Sequence, residues 1–181
     1  MCHFGRAVPV TLRRFPSLLG RTLAGESFVF PNQLPDAPFQ VVSLNFKNKH
    51  VWNARTWNGL TASLDSNMNM YHVWLFPWIH KAWAPLWRRR CRTWAQEHNI
   101  KEEHIVAIYG DRDAICDQIG IHNDGRQYAF MIRNSGKVLF ATDGRYLSHK
   151  HDSHIHKAIR SLAMPDETLK LDVSTETDVK N

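Results

Sequence analysis

The sequence predicts an α/β fold: a mixed sheet with helices packed against it. Strand-type and helix-type segments alternate along most of the chain, the pattern of helices laid on a largely parallel sheet by right-handed crossovers. Two late strand-type segments are separated only by "RNSG", where Asn134 and Gly136 supply turn chemistry, so an antiparallel hairpin makes the sheet mixed. At 181 residues, 43% of them hydrophobic, the chain is about one domain long and has enough apolar content for an ordinary core.

The elements follow in order. "ESFVF" and "FQVVSLNF" are rich in β-branched and aromatic residues and are separated by the turn-rich "PNQLPDAP", so both read as strands. "VWNARTWNGLTASL" places Val51, Trp52, Ala54, Leu60 and Leu64 at loosely helical spacing. "MYHVWLF" reads as a buried strand ended by Pro77, and a basic, tryptophan-rich helix follows over 78–98. "HIVAIY" is a further strand. "DRDAICDQIGI" is a short helix with Asp111 as N-cap and Gly120 as C-cap. "YAFMI" and "KVLFAT" form the hairpin. "DSHIHKAIRSLA" closes the domain as a helix capped by Asp152 or Ser153. This succession is the thioredoxin-like arrangement, and it places the domain at 15–163.

Charge is unevenly spread. The formal net charge is +6, yet the final segment "PDETLKLDVSTETDVKN" has five acids against two lysines, and residues 164–181 read as an acidic, disordered tail. A basic body favours anionic partners: phospholipid, nucleic acid or an acidic protein face. Arg6, Arg13, Arg14 and Arg21 precede the first acid, Glu26, so residues 1–14 read either as a mitochondrial targeting segment or as a plain basic tail. No apolar run reaches the roughly 20 residues of a transmembrane helix.

Several chemistries are missing or weakly signalled. A redox enzyme of this architecture holds a thiol at the start of the helix after "FQVVSLNF", where the helix N-terminus lowers its pKa. The segment there, "KNKHVWNARTW", has no cysteine, and no proline stands just before "YAFMI". Cys2, Cys91 and Cys116 lie far apart with no CxxC pair, so Cys91 and Cys116 read as buried or incidental thiols. "SHKHDSHIH" gathers His149, His151, His154 and His156, spacings able to bind zinc, copper or nickel, although a solvated helix start explains them more simply. Phosphate-loop and nucleophile-elbow motifs are absent. Asp111, Asp113 and Asp117 fall short of a calcium loop.

"WIHKAWAPLWRRRCRTWAQEH" carries the strongest compositional signal. Trp83, Trp87, Cys91 and Trp94 follow steps of four, four and three, with Ile79, Leu86 and Ala95 on the same broad face. Lys81, Arg88, Arg89 and Arg92 fall mainly elsewhere, and Pro85 either kinks the helix or makes its start a separate turn. The segment fits a core helix covering the sheet. It also fits a membrane-interface helix, with rings at headgroup depth and cations on anionic lipid. Stacking on single-stranded nucleic acid ranks third, because no RNA-binding signature accompanies it. The candidate partner- or membrane-binding residues are Trp83, Trp87, Arg88, Arg89, Arg90, Arg92 and Trp94.

Taken in order, "FPSLLGRTLAGESFVFPNQL", "VVSLNFKNKHVWNARTW", "YHVWLFPWIHKAWAPLWRRRCRTW", "YGDRDAICDQIGI" and "GRQYAFMIRNSGKVLFATDGRYL" resemble the Atp-ten family of mitochondrial F-type ATP synthase assembly factors. The resemblance covers about residues 15 to 163. Two segments depart from it: family hairpins read like "GRIRWAG" where this chain has "GKVLFATDG", and the closing helix is histidine-rich rather than acidic. The resemblance implies a thioredoxin-like domain without redox cysteines or cofactor. It further implies a non-catalytic chaperone of the mitochondrial matrix, peripheral to the inner membrane, whose partners are the lipid surface and newly made subunit a. Nucleic acid is not an expected partner. Two competing readings are a single-thiol redox protein using Cys91 or Cys116 and a histidine-dependent metal carrier.

Overall fold

Among the residues described by the computed structural model (14–35, 39–47, 50, 53–57, 60, 69–121, 125–133 and 135–163), seven strands form one mixed sheet. They are β1 (Leu18–Thr22), β2 (Ser27–Phe30), β3 (Gln40–Asn45), β4 (Met70–Pro77), β5 (Ile105–Gly110), β6 (Tyr128–Ile132) and β7 (Val138–Asp143), in the spatial order β2-β1-β5-β4-β3-β6-β7. β3, β4 and β5 are parallel. β6 runs antiparallel to β3 and β7 to β6, while the β1–β2 hairpin extends the other side, antiparallel to β5.

This order decides which face each helix covers. From β3 to β4 and from β4 to β5 the chain steps the same way across the sheet, so two right-handed crossovers lay their helices on one face. The first contains helical residues 53–57, and the second the Ala84–Glu97 helix. On that face Trp57, Leu60 and Ile155 pack with Val41 and Met131, and Cys91 and Ala95 with Leu23, Trp74 and Ile105. The opposite face carries Val42, Leu44, Val73, Leu75, Val106 and Ile108, covered by Cys116 and Ile119 of the Arg112–Ile119 helix. Central strands covered on both faces are nearly continuous in apolar residues, and in "VVSL" and "YHVWL" the two polar exceptions, Ser43 and His72, are buried with Ser43 Oγ 3.0 Å from His72 Nδ1.

The predicted caps of the Arg112–Ile119 helix are present. The Asp111 carboxylate accepts the Ala114 N–H at 3.2 Å, and Gly120 ends the helix at φ 69°. Two expectations need correction. The closing helix is Ser148–Ala163, so Asp152 and Ser153 lie in its second turn instead of capping it. The Leu147 carbonyl already receives the Lys150 and His151 N–H groups, each at 3.0 Å, which starts the helix earlier.

The second correction is β1, absent from the reading of the sequence. A glycine inside "LLGRT" weakens the strand pattern, but a Cβ at Gly20 would lie 2.7 Å from Val106 Cγ1 and 2.9 Å from the Ala107 oxygen. Only glycine lets this strand pass so near β5. The predicted targeting segment and the acidic tail lie outside the described residues, apart from Arg14, which bridges to Lys137.

A candidate binding surface at the carboxyl ends of the parallel strands

β4 ends at Pro77, and the chain then makes a 3₁₀ segment, Trp78–Trp83, before the Ala84–Glu97 helix begins with Pro85 in its first turn. Pro85 removes a donor that the first turn does not use, so it starts the α-helix rather than kinking it. The 3₁₀ segment buries none of its residues. Trp78, Ile79, Trp83 and Leu86 are 61%, 77%, 63% and 57% exposed, the large apolar side chains that stand most open here. Lys81 Nζ sits 5.8 Å from the Trp78 ring centre, a cation–π distance. No acid occurs between Pro77 and Gln96.

The remainder of the helix faces inward. Cys91 and Ala95 are buried. Trp87 is half-buried and meets Phe76 and Trp74 edge-on, with ring centres 5.4 Å and 6.1 Å away. Trp94 is half-buried, 5.1 Å from the His72 ring. Arg92 pairs with Glu102 at 3.3 Å and reaches the Leu23 carbonyl at 3.5 Å, which ties the helix to the β1 end. Arg88 is half-buried; Arg89 and Arg90 are exposed. The single face drawn through Trp83, Trp87, Cys91 and Trp94 is therefore two surfaces, because α-helical spacing does not continue through the 3₁₀ segment.

Beneath the exposed turn an open cavity of about 630 Å³ is lined by Phe46, Lys47, Phe76, His80, Trp83, Leu86, Trp87, Arg90 and Tyr109. Phe46 follows β3, and Phe76 and Tyr109 are the penultimate residues of β4 and β5, so the cavity opens at the carboxyl ends of the parallel strands, where open α/β sheets bind ligands. Sequence reasoning selected Trp83, Trp87 and Arg90 and put Ile79 and Leu86 on the same broad face, but missed Trp78, Phe46, Lys47 and Tyr109. Pro77 and Pro85 bracketing the 3₁₀ segment were the available signal for Trp78 and for the exposure of Ile79.

The thiols are placed for packing. Burial pushes the Cys91 thiol up to about 12, and Cys116 is buried in the opposite core. At the position that a redox thiol would take after β3, Lys47 is exposed. His50 is buried there: its Nδ1 accepts the Phe46 N–H at 3.1 Å, and its Nε2 lies 3.2 Å from the Gly125 oxygen. The residue before β6 is buried Gln127.

The histidine cluster disperses. His151 is buried, accepts the Leu147 N–H at 2.9 Å and packs on Trp57 and Tyr146 with ring centres 5.2 Å and 5.8 Å away. His154 and His156 are exposed, and the His149 side chain lies outside the described residues. Among the described residues no three His, Cys, Asp or Glu side chains are grouped to hold a metal ion. No described helix is long and apolar enough to cross a membrane.

Solved structures show the same architecture. The chain is similar to a Chlorobium tepidum structure reported as the thiol:disulfide interchange protein DsbE, with a TM-score of 0.52 and 12% identity over 83% of this chain and 96% of that one. A thioredoxin-like protein from Aeropyrum pernix gives a TM-score of 0.50 and 14% identity over 80% and 89%. A thiol-disulfide oxidoreductase from Bacteroides fragilis gives 0.50 and 10% over 80% and 98%. The fold is thioredoxin-like. No protein-family model matches the chain, and no curated protein matches it in sequence.

Proposed function

We propose that this chain is a non-catalytic binding protein on a thioredoxin-like scaffold, docking peripherally on an anionic membrane through Trp78, Ile79, Trp83 and Leu86. The observation that carries the reading is their exposure on the Trp78–Trp83 turn and the helix start after it, in a segment that holds Lys81 and Arg88–Arg90 and no acid; Asp111 and Asp113 line a groove with Trp78 and Ile79. Rings and branched chains of this kind partition into the headgroup boundary while cations meet lipid phosphate. The resemblance described above supplies the finer reading: an assembly factor of the mitochondrial ATP synthase membrane sector, acting on newly made subunit a at the matrix side of the inner membrane. The test is a native-gel profile of ATP synthase with pulse-labelled subunit a in cells lacking the protein. Loss of holoenzyme, rescued by a Cys91→Ser/Cys116→Ser variant, is expected. A normal profile removes the ATP synthase client.

A second reading, single-thiol redox chemistry, is suggested by the fold neighbours, since two of the three named above are thiol-disulfide proteins. Against it stands the buried, protonated Cys91.

A further inference from the structure

The cavity beneath the exposed turn has a composition that a flat membrane contact does not require. Its wall is mainly aromatic and aliphatic, and among the described residues that line it the Lys/Arg cations are Lys47 and Arg90 and none is an acid. A cavity of about 630 Å³ falls within the roughly 300–1,000 Å³ of small-molecule sites.

We propose that this cavity binds one anionic amphiphile, its apolar chain against Phe46, Phe76, Trp83 and Leu86 and its carboxylate or phosphate head at Arg90. A neutral apolar ligand would leave Arg90 without a role, and a bare anion would leave the aromatic wall unused. A cationic amphiphile would set its charge against Arg90 and Lys47. The site goes beyond the membrane-docking reading and does not need it, since a dissolved amphiphile can enter with no bilayer present.

Adjacent arginines make the test. Arg89 and Arg90 are both exposed on the Ala84–Glu97 helix, but of the two Arg90 is the one that lines the cavity. Calorimetric titration of the full chain would use dodecanoate, dodecyl phosphate and dodecyltrimethylammonium, each below its micellar concentration. The site predicts saturable one-to-one binding of at least one anion, with the cation at least about tenfold weaker. Arg90→Glu should weaken the anion about tenfold or more, as loss of a charge-assisted contact implies, while Arg89→Glu changes it less than about twofold. Far-ultraviolet circular dichroism would confirm that both variants are folded. Absence of saturable anion binding, equal binding of the cation, or equal losses in the two variants would overturn the proposal. Vesicle binding measured on the same variants separates the two ideas: a loose electrostatic surface loses affinity with either substitution, whereas the cavity responds to Arg90 alone.

Discussion

The two halves of residues 78–97 share a composition yet do opposite work. In the Trp78–Trp83 turn the large apolar side chains face water; from Trp87 to Ala95 they face the sheet. The difference comes from position relative to β4. A 3₁₀ turn leaving the strand end projects past the sheet, whereas the helix that follows runs back over Trp74 and Ile105 and can bury one stripe. Tryptophan beside arginine is thus packed or exposed according to whether the scaffold gives the ring something to cover.

The largest predicted contrast lies between these halves. Trp94→Ala should cost about 3 kcal/mol of unfolding free energy, within the usual range for removing a packed aromatic. Trp78→Ser should stay within about 0.5 kcal/mol, as open surface sites do. Urea denaturation of both variants checks this, and equal losses would dissolve the distinction.

Thiol reactivity sharpens the inner half. In a Cys2→Ser/Cys116→Ser background, iodoacetamide should alkylate Cys91 at pH 8 at least about a hundredfold more slowly in the folded than in the urea-unfolded chain, because the protein holds it protonated. A rate near that of the unfolded chain would reopen the redox reading.

Acid should also act on the inner half. Burial, and secondarily the charge of His104, lowers the His72 pKa to about 3. Its Nδ1 is 3.0 Å from Ser43 Oγ. Below about pH 6.5 the unfolded chain binds a proton that folded His72 refuses, so stability falls as pH falls from about 6.5 toward 3, by at most about 1.4 kcal/mol per pH unit from this residue. His104, also lowered mainly by burial, acts in the same direction. His72→Gln should flatten the slope measured by urea denaturation between pH 7 and 5, though it lowers stability at pH 7.

How far these features were legible in the sequence depends on whether local or distant contacts decide them. β3, β4, β5, the β6–β7 hairpin and the Asp111 and Gly120 caps were readable because periodicity and capping are local. β1 was not, because Gly20 is explained by its close approach to β5, more than 80 residues later in the chain. Of the candidate site, the basic segment was found, but its division into a projecting turn and a packed helix was not. Residues 83, 87 and 94 follow one helical repeat on paper, and the chain starts that helix only at Ala84. Phe46 and Tyr109 joined the cavity unannounced, because strand-end residues meet only once strand order is known.

Docking is proposed for the projecting turn and not for the packed helix. Its most direct measurement is cosedimentation of the full chain with vesicles containing anionic phospholipid, comparing wild type with Trp78→Ser/Ile79→Ser/Trp83→Ser. The triple variant should keep its fold and its unfolding midpoint while losing most vesicle binding. A folded triple variant that still sediments with the vesicles as wild type does would contradict it.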